Sequence, residues 1–78
     1  MQRYFFNIHA ATSHLDERGQ LFADDSTAWA EGMRVAVEFI DDLHHDFRPD
    51  QQFRLEVTNK AKAVLFVILF SSARFQPV

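Results

Sequence analysis

Residues 25–46, with the sequence DSTAWAEGMRVAVEFIDDLHHD, decide the fold of this chain. Apolar side chains recur there at steps of four and three residues, which is the spacing of one face of an α-helix. These side chains are Trp29, Met33, Ala36, Ile40 and Leu43, and Phe47 continues the series just after the segment. The polar residues 24–26 offer oxygens to the free amides of a helix start, and Pro49 ends the helix because the residue before a proline avoids helical geometry. The pattern predicts one helix from about residue 25 to residue 46, with Trp29 and Met33 in the core.

In the sequence before and after the helix, apolar side chains with a period of two residues predict four β-strands. Residues 3–9 have one fully apolar face, and residues 20–23 return beside them after a turn closed by Gly19. Residues 53–58 alternate in the same way, whereas residues 63–70 are apolar on both faces. We therefore predict an α+β domain of the order ββαββ, in which an antiparallel sheet with the strand order 2-1-3-4 carries one amphipathic helix across one face.

The composition is that of one small globular domain. The 78 residues include 47% apolar side chains and 9 Phe, and there is no cysteine for a disulfide or a thiolate metal site. We expect a single domain over residues 1–70 and a flexible tail over residues 71–78. The start of the sequence lacks the apolar segment of a secretory signal, and the longest apolar run is too short to span a bilayer. The expectation is a bacterial protein of the cytoplasm that makes no membrane contact.

Four short motifs along the chain are similar to those of a known family. They are R-Y-F-F at residues 3–6, D-E-R-G at residues 16–19, A-E-G-M at residues 30–33 after the helix entry at Asp24, and E-V-T at residues 56–58. On these motifs the chain, from Arg3 to about Phe70, resembles the short alphaproteobacterial proteins grouped as a domain of unknown function. The resemblance implies an acidic turn, an amphipathic helix and a closing hairpin, and it implies no activity, cofactor or catalytic residue. Lys62 departs from the family pattern, in which the last hairpin tends to contain Gly, and this leaves the type of that turn open.

The residue types of a nucleophilic triad occur together at Ser13, His14 and Asp16. Catalytic triads assemble from separated elements around a site for an oxyanion, whereas these three residues are neighbours in the sequence. The chain also lacks a G-x-S-x-G elbow and a phosphate-binding loop. We therefore expect a protein that is not an enzyme and needs no cofactor.

Asp41 and His45 are four residues apart on the outer face of the predicted helix, a spacing that suits two ligands of a divalent metal. A third and a fourth ligand are not indicated at a recognisable spacing. His44 falls at the margin of the apolar stripe, where a half-buried histidine is the ordinary explanation. The pattern favours a solvated acidic face with an Asp to His pair over a metal site.

A second apolar stripe makes the predicted helix apolar over more of its surface than one sheet can cover. The stripe contains Ala28, Gly32, Val35 and Phe39. It lies about 80 to 100° around from the first stripe, whereas a helix on one sheet needs an apolar width only somewhat over 100°. Gly32 would be tolerated in the helix if another backbone comes close to it. The excess apolar surface favours a contact with another chain, and the alternative is that Val35 and Phe39 are isolated exposed apolar side chains.

The last predicted strand indicates the same kind of contact. In the order 2-1-3-4 it lies at an edge of the sheet with apolar side chains on both faces, and such an edge would aggregate unless it is covered. The predicted interface residues are Leu65, Val67, Leu69, Val35 and Phe39. The leading hypothesis is a small non-enzymatic module that forms a homodimer or binds another protein.

The charge is unevenly distributed along the chain. Residues 1–46 contain 3 basic and 9 acidic side chains, a net charge of -6, whereas residues 47–78 contain 5 basic and 2 acidic side chains, a net charge of +3. The two halves could attract each other across a dimer, or the basic half could bind an anion through Arg54, Lys60 and Lys62. A nucleic-acid-associated regulator that uses this basic hairpin is the alternative function, although the overall charge of -3 disfavours nucleic acid. The third hypothesis for the function is a protein that binds a divalent metal weakly.

Added Zn²⁺ or Ni²⁺ should leave the melting temperature of the protein unchanged. If Asp41 and His45 bound the metal, binding to the folded state would raise the Tm by mass action, and the gain would vanish in His45→Ala. Differential scanning fluorimetry of both proteins, with and without metal, makes the comparison. A stabilisation of several degrees that is lost in the variant would contradict the prediction.

Overall fold

The structure, a computed structural model, describes residues 1–43 and 48–76. Its elements in chain order are β1 (Gln2–His9), β2 (Ser13–His14), β3 (Gln20–Phe22), α1 (Asp25–Leu43), β4 (Gln52–Asn59) and β5 (Val64–Ser71). All strand pairs are antiparallel: β1 pairs with β4, β4 pairs with β5, and β2 and β3 pair with the other edge of β1. The predicted α+β class and strand order are therefore confirmed, and the structure adds the two-residue strand β2.

The side chain of Asp16 takes the place of a strand partner in the middle of β1. Its Oδ2 accepts the backbone N–H of Phe6 at 3.1 Å, and its Oδ1 accepts the N–H groups of Arg18 and Gly19 at 3.1 and 3.0 Å. The N–H of Asp16 donates in turn to Oδ1 of Asn7 at 2.9 Å. Because β2 and β3 pair only with the two ends of β1, this carboxylate satisfies backbone that lies between them.

Asp24 caps the start of α1. Its Oδ1 accepts the backbone N–H of Thr27 at 2.8 Å and the hydroxyl of Thr27 at 2.7 Å, and these hydrogen bonds lower the pKa of Asp24. The predicted helix start is therefore confirmed. The helix is described as far as Leu43, and the predicted last turn at residues 44–46 lies outside the described residues, as does Phe47.

A ridge of small residues brings α1 close to the sheet. The buried residues of the helix are Ala28, Gly32 and Ala36. A Cβ at Gly32 would lie 3.2 Å from Cγ2 of Val57 in β4, whereas Trp29 and Met33 keep 39% and 40% of their surface exposed. The prediction that Trp29 and Met33 form the core is therefore wrong. A helix approaches a sheet most closely where its side chains are smallest, and this turns α1 by about 60° from the predicted orientation.

Val35 and Phe39 lie against the chain's own sheet. Both are half-buried and pack against the cluster of Ala36, Phe53 and Leu55. The rings of Phe39 and Phe53 are 5.2 Å apart. Of the second apolar stripe, predicted to be free for an interface, Ala28 and Gly32 thus belong to the buried ridge, and Val35 and Phe39 form one flank of it. The close approach that the sequence analysis expected at the helix glycine is made by β4 of the same chain.

The core lies between α1 and one face of the sheet, and β4 contributes most of it. The large side chains that are fully buried are Tyr4, Phe53, Leu55 and Val57. The hydroxyl of Tyr4 donates to Oδ1 of Asp25 at 2.6 Å. This hydrogen bond, together with burial, raises the pKa of Tyr4 to about 12. One buried side chain thereby joins β1 to the first turn of α1.

The hairpin between β4 and β5 closes through a left-handed residue, Lys62, with a φ of 66°. The N–H of Lys62 donates to the carbonyl of Asn59 at 3.0 Å, and neither Lys60 nor Ala61 has a positive φ. These features are those of a type I turn followed by a left-handed residue. Gly adopts this conformation without steric cost, so the position at which the chain departs from the family pattern is one that favours Gly.

A β-bulge at Leu65 shifts the faces of β5. The two strands of the hairpin pair with a register shift between Val57 and Thr58, which leaves Leu65 as an extra residue in the ladder. Leu65 is half-buried and packs against the core around Val57. Simple alternation predicts Leu65 on the outer face with Val67 and Leu69, and that prediction is wrong because the bulge turns its side chain toward the helix.

The residues that follow β5 are hydrogen-bonded to the loop before β4. The N–H of Ser72 donates to the carbonyl of Gln51 at 3.0 Å, and its hydroxyl donates to the carbonyl of Arg48 at 2.9 Å. The N–H of Arg74 donates to Oδ1 of Asp50 at 3.0 Å. These bonds close the end of the sheet opposite the hairpin. The flexibility of the tail as a whole stays a prediction.

Alanine should have unequal effects at the two glycines of the chain. Gly19→Ala should lower the free energy of unfolding by about 2 kcal/mol or more, since Gly19 has a φ of 70° and a Cβ would lie 2.8 Å from the carbonyl oxygen of Tyr4. Gly32→Ala should change it by less than about 1 kcal/mol, because the helix propensity of Ala offsets the crowding against Val57. Urea unfolding measures both variants. Equal losses would contradict this account of the two positions.

The hydrogen bond between Tyr4 and Asp25 should make the protein lose stability at high pH. The pKa of Tyr4 is about 12 in the folded chain against about 10 when unfolded, so the folded state keeps the proton longer. The stabilisation is complete below pH 10 and is lost as the pH rises through 12. Tyr4 is the one tyrosine in the sequence, so ultraviolet absorbance follows its ionisation directly.

The Tm of the wild-type protein should therefore fall more steeply above pH 10 than the Tm of Tyr4→Phe, which has no phenol to ionise. The variant is the control for every other effect of alkaline pH, since such effects act on both proteins. Parallel curves of Tm against pH would show that the hydroxyl of Tyr4 contributes nothing to the alkaline limit.

Candidate interaction surface

The outer edge of β5 is an open edge of the sheet. Within residues 1–43 and 48–76 no strand pairs with it, because β5 ends the strand order. The strand has eight residues, and the segment contains neither a charged residue nor proline. The exposed fraction is 49% for Val67 and 56% for Leu69. Such an edge offers unpaired backbone donors and acceptors, with apolar side chains beside them, to another strand.

The helix extends this apolar surface beyond the strand. The flank of α1 toward β5 carries Trp29, Met33 and Val37, and Val37 is 63% exposed. The ring of Trp29 lies 5.3 Å from the ring of Phe66, centroid to centroid. A groove of about 260 Å³ lies between α1 and β5 and is lined by apolar side chains of α1, β4 and β5. We name the outer edge of β5, together with Trp29, Met33 and Val37, the β5 surface.

Another side of α1 is charged and internally paired. The guanidinium of Arg34 donates to Glu31 and to Glu38, in both cases at 2.6 Å. The hydrogen bond from Arg34 lowers the pKa of Glu31, and the same contact raises the pKa of Arg34. Charges that pair along a helix in this way suit a solvated face. The apolar flank of α1 at the β5 surface is therefore distinct from the charged side of the helix.

The face of the sheet opposite α1 is partly polar. Nε2 of His9 lies 3.6 Å from one carboxylate oxygen of Glu56, and Nε of Arg54 lies 3.2 Å from the other. Oγ of Ser13 is 3.4 Å from Nδ1 of His9. The sequence did not indicate this set of contacts, because only the pairing register of β1 with β4 places His9 opposite Arg54. The contacts run across β2, β1 and β4 and leave the β5 surface apolar.

The structure does not bring the candidate triad residues together. Ser13 and His14 both lie in β2, and Nε2 of His14 is 3.3 Å from the hydroxyl of Thr12. Asp16 binds backbone N–H groups, as described above. Ser13 is exposed, and its 3.4 Å contact with His9 is longer than the contact that activates a nucleophile. The expectation that the protein is not an enzyme stays a prediction.

The predicted anion-binding residues do not form one site either. Arg54 contacts Glu56, whereas Lys60 and Lys62 lie in the hairpin beyond the other end of β4. Lys60 follows Arg54 by six positions along an extended chain, a distance of about 20 Å. One small anion therefore cannot contact all three basic side chains.

The described chain offers no candidate metal centre. Across residues 1–43 and 48–76 there is no group of three or more His, Cys, Asp or Glu side chains that could hold a metal ion. His44 and His45 lie outside the described residues, and Asp41 lies in the last described turn of α1. The expectation that Asp41 and His45 form a solvated pair and bind no metal stays a prediction.

The fold and the β5 surface define this chain as a small α+β domain of two layers with an open sheet edge. The model of a family described as a domain of unknown function (DUF6894) matches residues 3–71, and the chain belongs to that family. The resemblance to a domain of unknown function is thereby confirmed over the segment that carries the four motifs. No curated protein and no solved structure matches the chain. In the part of the chain that the structure describes, no helix has the length and apolar character to cross a membrane.

Proposed function

We propose that this protein is a non-enzymatic association module that forms a homodimer through the β5 surface. The observation that carries the proposal is the outer edge of β5, eight uncharged residues without a partner strand in the described chain. Monomeric proteins generally protect such an edge with a charge, a proline or a covering element. The opposite edge of the sheet is protected, since Asp16 and two short strands cover β1 there.

A second copy of the chain fits this edge by symmetry. Two β5 strands related by a twofold axis pair antiparallel, and the outward backbone groups of both copies are then satisfied. Eight residues of strand are about 26 Å long. The domain is 19 Å across in its smallest dimension, so the side of the domain that β5 forms has an area of about 500 Å² per chain. The total of about 1,000 Å² reaches the lower bound of a specific interface.

The helix and the charges fit the same arrangement. Trp29 contacts Phe66 near the start of β5. Ile40 lines the groove together with Phe70, near the end of the strand, so α1 and β5 run in the same direction. Antiparallel pairing then places the basic hairpin of one chain beside the acidic end of α1, at Asp42, of the other. Arg48 and Arg74 lie at the same end of the domain as Asp42, so the charge complementarity is confined to the hairpin and the end of α1.

The geometry gives less support to the alternative functions. A nucleic acid bound along the hairpin would need a continuous basic strip, but Arg54 contacts Glu56 and lies about 20 Å from Lys60. A metal-binding function has no ligand group within the described residues. A different protein could add a strand to the β5 surface in the same way, and the oligomeric state of the purified chain distinguishes that occupant from a second copy.

Val67→Lys should dissociate the dimer. Val67 lies near the middle of β5, so two lysines would meet close to the twofold axis in an interface without compensating charge. Leu15→Lys is the matched control, because Leu15 is 66% exposed in the loop that covers the opposite edge of the sheet. Sedimentation equilibrium at micromolar concentration should give wild type and Leu15→Lys twice the 9.1 kDa mass of one chain, and Val67→Lys that mass once.

Circular dichroism of all three proteins establishes whether each variant is folded. A folded wild type that sediments at 9.1 kDa would exclude the homodimer and leave a different protein as the occupant of the edge. A dimer that persists in Val67→Lys would show that the chains associate through another surface.

A further inference from the structure

A recess at the hairpin end of the sheet is lined by cationic side chains. It has a volume of about 530 Å³ and lies between the start of β1, β3 and the hairpin that joins β4 to β5. Arg3 and Lys60 are the charged side chains of its lining, and Leu21 forms an apolar wall. Among the described residues, no carboxylate side chain belongs to this lining. Two cations from elements that are distant in the sequence therefore face one recess.

Two contacts position the guanidinium of Arg3. Its NH1 donates to the carbonyl oxygen of Arg18 at 2.7 Å. Its Cγ packs where Gly19 has no side chain, since a Cβ there would lie 2.8 Å from that carbon. A guanidinium has five N–H donors, and this hydrogen bond uses one of them. The remaining donors of Arg3 can bind acceptor oxygens in the recess.

Asn59 fixes the turn that carries Lys60. Its Oδ1 accepts the backbone N–H groups of Ala61 and Ala63 at 2.9 and 3.0 Å. Because Asn59 pairs with Tyr4 in the register of β1 with β4, its side chain lies on the face of Tyr4 and not on the face of Arg3. Arg3 and Lys60 are therefore the side chains that offer charged donors to an anion in the recess.

We propose that this recess binds a phosphate group. An arginine offers a planar fork of donors and a lysine a compact charge, and both side chains are common ligands of phosphate. A phosphate monoester carries a charge of about -1.5 to -2 at pH 7, and this charge matches the two positive side chains of the recess. A carboxylate carries one negative charge and would match one of them. The phosphate belongs either to a small phosphorylated molecule or to a nucleic-acid strand, since both present the same oxygens. All the lining residues belong to one chain and none belongs to the β5 surface, so the site is complete in a monomer.

Titration of the ¹⁵N-labelled protein with inorganic phosphate tests the site, and sodium chloride of equal ionic strength is the reference. The amide signals of Arg3, Asn59 and Lys60 should shift in a saturable way. Arg3→Gln and Lys60→Gln should each weaken binding about fivefold. Lys62→Gln is the matched control, because it removes the same charge from the same hairpin at a residue outside the lining and should bind as wild type does.

A parallel titration with a short single-stranded oligothymidylate identifies the source of the phosphate. Tighter binding of the oligonucleotide, weakened in the same two variants, assigns the site to a nucleic acid, and saturable binding of inorganic phosphate alone assigns it to a small molecule. No saturable shift with either ligand, or an equal loss in Lys62→Gln, overturns the proposal. Arg3→Gln also removes the bond to Arg18, so Lys60→Gln decides the outcome if the spectrum of free Arg3→Gln differs from that of wild type.

Discussion

The close contact between Gly32 and Val57 sets the position of the other elements. Because α1 rests on its smallest side chains, both of its larger flanks reach toward the sheet, but neither flank is fully covered. One flank, with Val35 and Phe39, packs on the end of the sheet where β4 begins. The other flank, with Trp29, contacts Phe66 in the last strand and stays partly exposed. The same contact thus closes the core of the domain and creates the apolar part of the β5 surface.

The two edges of the sheet differ in whether their backbone groups have hydrogen-bond partners in the described chain. At β1 the carboxylate of Asp16 and two short strands form hydrogen bonds with the backbone of the edge strand, so no long open edge remains there. At β5 the strand is long, uncharged and without a partner in residues 1–43 and 48–76. A fold of two layers and one helix cannot cover both the face and the edge of its last strand. This asymmetry is why association at β5 is the function that the geometry supports best.

Two of the motifs shared with the family support one another. In R-Y-F-F, alternation along β1 directs Tyr4 into the core, where it meets Asp25, and directs Arg3 to the other side. In D-E-R-G, Asp16 binds the backbone of β1, and Gly19 leaves room for the stem of Arg3. The motifs therefore form one corner of the domain, and the recess lined by Arg3 opens beside it.

The sequence by itself determined the elements, their order and the α+β class, because periods of two and 3.6 residues, the cap at Asp24 and the turn at Gly19 are local properties. It also indicated the exposed last strand, which follows from strand order and composition alone. Only the tertiary structure decided which face of α1 is buried, since both apolar stripes satisfy the helical period and the contact with Val57 buries the small residues where they meet. The placement of Leu65 depends on the pairing register of two strands, and the recess depends on bringing Arg3 to Lys60. These are contacts between different elements of the fold, and the pattern within one element does not encode them.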